Sequence, residues 1–475
     1  MGGKEPLTPG NNSVIDQEWM TRVSEGGAFF DWNRLALEEN STVKFPSVEQ
    51  AREVILRSEC LRDAEGSLLS WPTLSERMDH ILGLRDLGVG QVTLGIYSSL
   101  PGELSESNRE ALELLEWMDW KTPELDPVIL ARATRDDLDY LVGALGYNPR
   151  LVGIIFQDLS EVRRIVEGWG SLEKVLAGLV DKIRLAKTRG LRVMAFTENL
   201  SITRPEDVSG YVEAVCEAGA DWVGIADTAG RLFPQGAAYL TGYVKERIEE
   251  YKARSGEKKE IGVVFHGHDD LGRAVDNSLA ALASGASVVD VVTNGLGERV
   301  GNTNLIEFVG NLEYYLRMSG ETRFDLTQLP RLAGRYEQMT GTPFGQQQPL
   351  VGEGVFSTAF GIHGNYFLKV EILALNMREA GMTEEPVNKF LHEAWRVYSA
   401  GSPADLGRRP DIRVSHVSGA ANVILRLRQL GAIDDVRKVA KDDPRVVEIL
   451  HRAKEGWGGL ADEVLVSIWQ SRCLG

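Results

Sequence analysis

The stretch LRVMAFTENLSITRPEDVSGYVEAVCEAGADWVGIADTAG, residues 191–230, holds one full cycle of a repeating pattern. Residues 191–196 form a short apolar run that reads as a strand. Residues 206–218 then carry apolar side chains at helical spacing, Gly219 supplies a left-handed stop, and residues 222–226 open the next apolar run. The cycle extends in both directions. Apolar runs at 54–59, 90–96, 128–131, 151–156, 191–196, 222–226, 261–265 and 288–292 predict strands. Amphipathic stretches near 74–87, 105–117, 135–145, 171–189, 206–218, 235–254, 271–284 and 303–318 predict helices, several closed by Gly just before the next strand. Eight strands alternating with eight helices match a (β/α)8 TIM barrel in number and length. A doubly wound open sheet shows the same alternation with fewer strands and a Gly-rich loop after the first, and no such loop follows residue 59.

The rhythm changes outside this span. Residues 1–50, with Phe29, Phe30 and Trp32, read as an N-terminal arm lying on another surface, and 51–320 as the barrel. A linker subdomain over 321–400 includes a helix at 325–341 and a loop-like Gly- and Gln-rich stretch at 342–367. A helical C-terminal subdomain over 401–475 follows, with 402–411 as its linker. The fold class expected is thus a TIM barrel with a mostly helical appendage.

Composition narrows the function. Of 475 residues, 52 are Lys or Arg and 69 are Asp or Glu, for a net charge of −17, which disfavours nucleic acid as a partner. Apolar residues at 43% are enough for a large core, so the chain is folded and not disordered. No run of eighteen apolar residues exists to span a membrane, and the start lacks the apolar segment of a secretory signal. Three scattered cysteines, Cys60, Cys216 and Cys473, suit a reducing, cytoplasmic setting.

In a barrel of this type chemistry sits at the C-terminal ends of the strands. The seventh strand ends in VVFHGHDDLG, where His266 and His268, two apart, project from one face of a strand, followed by Asp269 and Asp270. Two converging imidazoles with nearby carboxylates suit a divalent cation, although a pair of structural histidines would read the same way. The first strand ends in ECLRDAEGS, which places Asp63 as a hard oxygen ligand and Arg62 as a cation able to stabilise charge developing on a carbonyl oxygen. Arg132, Glu198, Asp227 and Thr228 lie at further strand ends, and NGLGERVGN brings Glu298, Arg299 and Asn302. Taken singly, Asp227 and Thr228 equally fit turn caps. Polar residues recurring at nearly every strand end favour a site.

These motifs carry a family resemblance. RDAE at 62–65, DTAG at 227–230, HGHDDLGRAVDNSLAALASGA at 266–286 and GLGERVGN at 295–302 resemble the metal-dependent acyl-CoA condensing enzymes. That family includes isopropylmalate, homocitrate and citramalate synthases, with HMG-CoA lyase more distant. PLVGEGVFSTAFGIHGNYFLK at 349–369 is similar to the segment these synthases place after the barrel. The lyases usually carry a Cys in the loop matching GLGERVGN, and this chain has none between 217 and 472. The sequence also departs from the pattern. RDAEG stands where RDGEQ is usual, and HDD where HND is usual. Thr93 occupies a position often acidic, and Phe156-Gln157-Asp158 ends strand four in place of His, Thr or Ser.

The resemblance implies a Claisen-type condensation of an acyl-CoA, acetyl-CoA above all, with a 2-oxo acid, then hydrolysis of the thioester to a hydroxy acid and CoA. It implies a divalent metal (magnesium, manganese, cobalt or zinc) on Asp63, His266 and His268, with Asn302 as a nearby or fourth contributor. Arg62 would stabilise the oxyanion. Arg132 and Thr228 would hold the substrate carboxylate, and Thr93 and Gln157 would sit where the tail is read. Glu198 and His363 would be acid and base, His363 arriving from a partner protomer of a homodimer. Glu298 and Arg299 would support the loop bearing Asn302. No β-containing regulatory domain is expected after the barrel. The alternatives are a metal-dependent lyase or aldolase on the same barrel, and a barrel kept for binding alone.

Overall fold

The computed structural model describes residues 30–471 except 98, 101 and 102. Phe29, part of the expected arm, lies outside the described residues. All eight apolar runs form strands: β1 (Ile55–Ser58), β2 (Gln91–Ile96), β3 (Asp126–Arg132), β4 (Val152–Phe156), β5 (Arg192–Thr197), β6 (Trp222–Asp227), β7 (Gly262–Gly267) and β8 (Val288–Val291). They pair in parallel around a closed ring in which β1 lies between β2 and β8. A helix follows each strand, and β4 is followed by two, Glu161–Val166 and Leu172–Thr188. This is the expected (β/α)8 barrel.

Local chemistry sets the helix ends. Thr73 and Glu76 exchange side-chain-to-backbone hydrogen bonds at the start of Leu74–Leu87, and Gly88 ends it at φ 90°. Because side chains alternate along a strand, every second residue points into the barrel. That interior is packed with Val128, Leu130, Val152, Ile154, Met194, Phe196, Val264 and Val288. The helix Trp32–Glu38 lies on the barrel's outer helix Pro234–Ser255. There Trp32 is fully buried, donates from Nε1 to the Thr203 carbonyl at 3.1 Å, and packs on Tyr239 and Tyr243.

The chain divides into two compact units, Met1–Asp325 with Arg331–Pro343, and Leu326–Pro330 with Phe344–Gly475. The second is built on the helices Gly361–Glu379, Glu384–Trp395, Ala420–Gln429, Pro444–Lys454 and Asp462–Gln470, around Phe367, Leu368, Val423, Ile424, Val446 and Leu465. It also holds a short parallel pair, Ser357–Thr358 with Asp411–Ile412. Two local expectations change. Residues 361–367 open a 19-residue helix and are not loop. Residues 402–411 are ordered by the 3-10 turn Pro403–Leu406 and by that strand pair.

Candidate active site

At the C-terminal mouth of the barrel three side chains converge. Asp63 Oδ2 lies 3.9 Å from His266 Nε2 and 3.7 Å from His268 Nε2, and the two imidazole nitrogens are 3.3 Å apart. His266 is the penultimate residue of β7 and His268 stands just beyond its end. Asp63 starts the short turn Asp63–Ser67 after β1, so strands at opposite ends of the sequence deliver the set.

What holds the set is a chain of buried charges. Asp290 Oδ2 lies 3.0 Å from His266 Nδ1; an ionised Asp290 accepts that N–H and leaves the Nε2 lone pair facing the other two groups. Arg57 donates to Asp290 through Nη2 at 2.5 Å and pairs with Glu59 through Nε at 3.0 Å. The register explains the first contact, since Arg57 and Asp290 are direct partners across β1 and β8. Glu59 also accepts from Arg62 Nε at 2.7 Å and from the Thr93 hydroxyl at 2.6 Å, while Arg62 Nη1 donates to Asp63 Oδ1 at 2.7 Å.

These contacts set the protonation tendencies. Burial pushes Asp63 up, but Arg62 and the two histidines outweigh it and hold the carboxyl well below the usual range. Burial pulls His266 down, yet its bond to Asp290 and its nearness to Asp63 raise it above an ordinary histidine. Burial and neighbouring His266 lower His268 to about 4. Glu198 is raised, chiefly by burial, against the pull of Arg163.

The residues present fit a divalent cation. Asp63, His266 and His268 each offer one ligand atom, all within 4.8 Å of one another. Asn302 donates from Nδ2 to Asp63 Oδ2 at 2.6 Å, while its amide oxygen is buried without a hydrogen-bond partner among the described residues. One hard oxygen and two imidazoles, with an unused amide oxygen beside them, form the donor set such an ion takes. The loop carrying Asn302 is tightly folded. Gly301 has φ 102°, and a Cβ there would collide with the Gly295 carbonyl. Asn302 N–H donates to that carbonyl at 3.0 Å.

Beside the set opens a cavity of about 160 Å³. Arg57, Arg62, Asp63, His266, His268 and Asp290 form one wall, and Thr228, Glu198 and Glu298 also border it. Thr228 accepts the Asn199 N–H at 2.8 Å, and Glu198 is paired with Arg163. Three expected residues stand elsewhere. Thr93 is fully buried and spends its hydroxyl on Glu59. Arg132 turns to the next helix, where Nε and Nη2 bond Asp137 at 3.0 and 3.1 Å. Gln157, next to the cavity residue Phe156, is not among the lining groups and contacts the Asp158 carbonyl.

Neighbours of the Asp63–His266–His268 set have other employment. Asp269 accepts the Ala274 N–H at the start of Ala274–Ala283, Asp270 pairs with Arg299, and Asp227 accepts the Leu232 and Arg231 N–H groups as a turn cap. Arg299 also bonds the Thr228 carbonyl. His363 lies in the second unit, in the first turn of Gly361–Glu379, with Nδ1 2.8 Å from the Thr358 hydroxyl and its ring 3.9 Å from that of Tyr398. Arg57, Glu59 and Asp290 were not anticipated, yet a signal existed: each puts a charge into an otherwise apolar strand, in VILRSE and VVDVV.

Known proteins resemble this chain over much of its length. A 2-isopropylmalate synthase of Brevibacillus brevis is 32% identical over 313 residues, which cover 65% of this chain and 58% of that protein. A homocitrate synthase of Methanocaldococcus jannaschii is 28% identical over 419 residues, covering 88% of this chain and 90% of the relative. An (R)-citramalate synthase of Aquifex aeolicus is 29% identical over 253 residues, 53% of this chain and 40% of that protein. Against the first of these the chain therefore spans under two thirds of the relative's length. The HMGL-like family model matches residues 53–334, which take in all eight strands and the Asp63–His266–His268 set, and the chain belongs to the HMGL-like family.

Proposed function

We propose that this protein condenses an acyl-CoA, acetyl-CoA in the first instance, with a 2-oxo acid and hydrolyses the resulting thioester, releasing a hydroxy acid and CoA. The observation that carries this reading is the convergence of Asp63, His266 and His268 beside Arg62 at the mouth of a barrel. The names of the relatives support it. Asp63, His266 and His268 would hold a divalent metal, magnesium, manganese, cobalt or zinc, with Asn302 as the neighbouring oxygen donor. When bound, that ion supplies Lewis acidity to the oxo acid's carboxylate and ketone oxygens.

The side chains do the rest. Arg62, fixed by Glu59 and Asp63, presents a permanent positive charge where the ketone becomes an alkoxide. Thr228, at the end of β6, orients the substrate carboxylate. Glu198, whose proton affinity is raised by burial, is the acid–base group on the cavity side. His363 is assigned as the second acid–base group, reaching the site from a partner protomer of a homodimer. The four segments anticipated along the chain, 1–50, 51–320, 321–400 and 401–475, are kept as the proposed domain plan. Arg132 and Thr93 are reassigned as supports, Thr93 through Glu59 and Arg132 through Asp137, and Gln157 is kept as the proposed reader of the substrate tail. We place the protein in the cytoplasm, where the buried thiols of Cys60 and Cys216 stay reduced. Nucleic acid is no partner of so acidic a chain, and no described helix is long and apolar enough to cross a membrane.

The test is thiol release from acetyl-CoA in the presence of a panel of 2-oxo acids and divalent metal. Release with at least one acid, lost in His266→Ala, is expected. Release with none, together with cleavage of a hydroxyacyl-CoA, would replace condensation by lyase chemistry.

A further inference from the structure

The barrel interior is divided by chemistry. β7, β8 and β1 present His266, Asp290 and Arg57, whereas β2 to β5 present Ile96, Leu130, Ile154, Phe156 and Phe196 on the other side of the same cavity, with the Arg57 guanidinium reaching over the Phe196 ring. A 2-oxo acid whose carboxylate and ketone engage the polar side must direct its remaining carbons at the apolar one. Resting on the function proposed above, we infer that this site takes 2-oxo acids with an uncharged apolar side chain and excludes those with a second carboxylate.

Two observations carry the inference. The first is that, among the described residues bordering the cavity, no cation is left over for a distal carboxylate. Arg57 is held by Asp290 and Glu59, Arg62 by Glu59 and Asp63, and Arg163, beyond the rim, by Glu198. The other cations anticipated from the sequence are also spent, Arg132 on Asp137 and Arg299 on Asp270. The second is the sign of the buried charge. Two guanidinium groups, Arg57 and Arg62, face three carboxylates, Glu59, Asp63 and Asp290, leaving one negative charge in excess. A divalent cation reverses this to one positive, which a single substrate carboxylate neutralises. A second carboxylate would be buried against Phe196 and Ile154, where the adjacent cation, Arg57 at 5.2 Å from the Phe196 ring centroid, is already held by two carboxylates, and burial of an unpaired charge is strongly unfavourable.

Binding and turnover test this separately, on the full chain supplied with manganese. In the first arm, 3-methyl-2-oxobutanoate, 4-methyl-2-oxopentanoate, oxaloacetate and 2-oxoglutarate are each added without acyl-CoA and the melting temperature is followed. The two branched acids are expected to raise it and the two dicarboxylates to leave it unchanged. In the second arm, thiol release from acetyl-CoA is measured, with kcat/KM expected to favour the branched acids by about 100-fold or more. Phe156→Ala, which lengthens the apolar side, is expected to shift preference toward 4-methyl-2-oxopentanoate by about tenfold. Stabilisation or turnover by 2-oxoglutarate or oxaloacetate equal to that by the branched acids would overturn the inference, as would no melting shift with any of the four. Stabilisation by branched acids without thiol release would instead sink the condensation reading and leave the side-chain class standing.

Discussion

Arg57 touches Asp290 on one side and Glu59 on the other, and Asp290 in turn orients His266. Removing the guanidinium strands two buried carboxylates. Arg57→Met is therefore expected to cost about 3–5 kcal/mol in urea unfolding. Asp290→Asn takes away the acceptor that fixes the His266 tautomer. The expected result is a 10- to 100-fold weaker manganese affinity by calorimetric titration, on the order seen for outer-sphere partners of metal-bound histidines. His80 is a third case. Buried with neither ring nitrogen hydrogen-bonded among the described residues and stacked on Tyr336, it is lowered by burial to about 3. The unfolded chain binds this proton more readily than the folded one. The contribution is thus fully present above about pH 6.5 and is lost as pH falls toward 3. His80→Phe should flatten that part of the stability–pH curve relative to the parent, measured as urea midpoint against pH.

At the scale of elements, the loop 295–302 ties the metal set to the barrel through a backbone that tolerates no side chain at Gly301. Gly301→Ala combines a positive φ with a collision, so the loop must move. A loss of metal affinity with unchanged far-UV circular dichroism is the expected outcome. The elements themselves were legible because apolar runs of strand length alternate with helical periodicity and Gly stops, and this pattern depends only on neighbours in sequence. Asp63, His266 and His268 were legible for the same reason, as polar residues at strand ends. The Arg57–Asp290 pair was not, because its partners are 233 residues apart and meet only through barrel register. The helix from Gly361 was missed for a different cause. Gly361 and Gly364 weaken helical propensity, yet a Cβ at Gly364 would run into the Asn422 amide, so the glycine there serves close packing of two helices and not a turn.

Over the whole molecule the excess of 17 negative charges faces a proposed co-substrate that is itself an anion. Long-range repulsion should slow encounter at low salt and be screened once the Debye length falls to about 10 Å at 0.1 M. Raising ionic strength from roughly 10 to 150 mM is therefore expected to increase kcat/KM for acetyl-CoA by roughly threefold. A decrease would point to a local positive approach path that outweighs the total.

β1 and β8, the first and last staves of the barrel, are joined along Ile55–Ser58 and Val288–Val291. Asp63 and Asn302, on either side of that seam, are 239 residues apart in the chain. During synthesis, a ribosome that has just made both histidines has made neither Asp290 nor Asn302. A nascent or truncated chain ending before residue 288 therefore carries Asp63, His266 and His268 without the Asp290 that orients His266 or the Asn302 that bonds Asp63, so the set reaches its finished geometry only when the last stave closes the barrel.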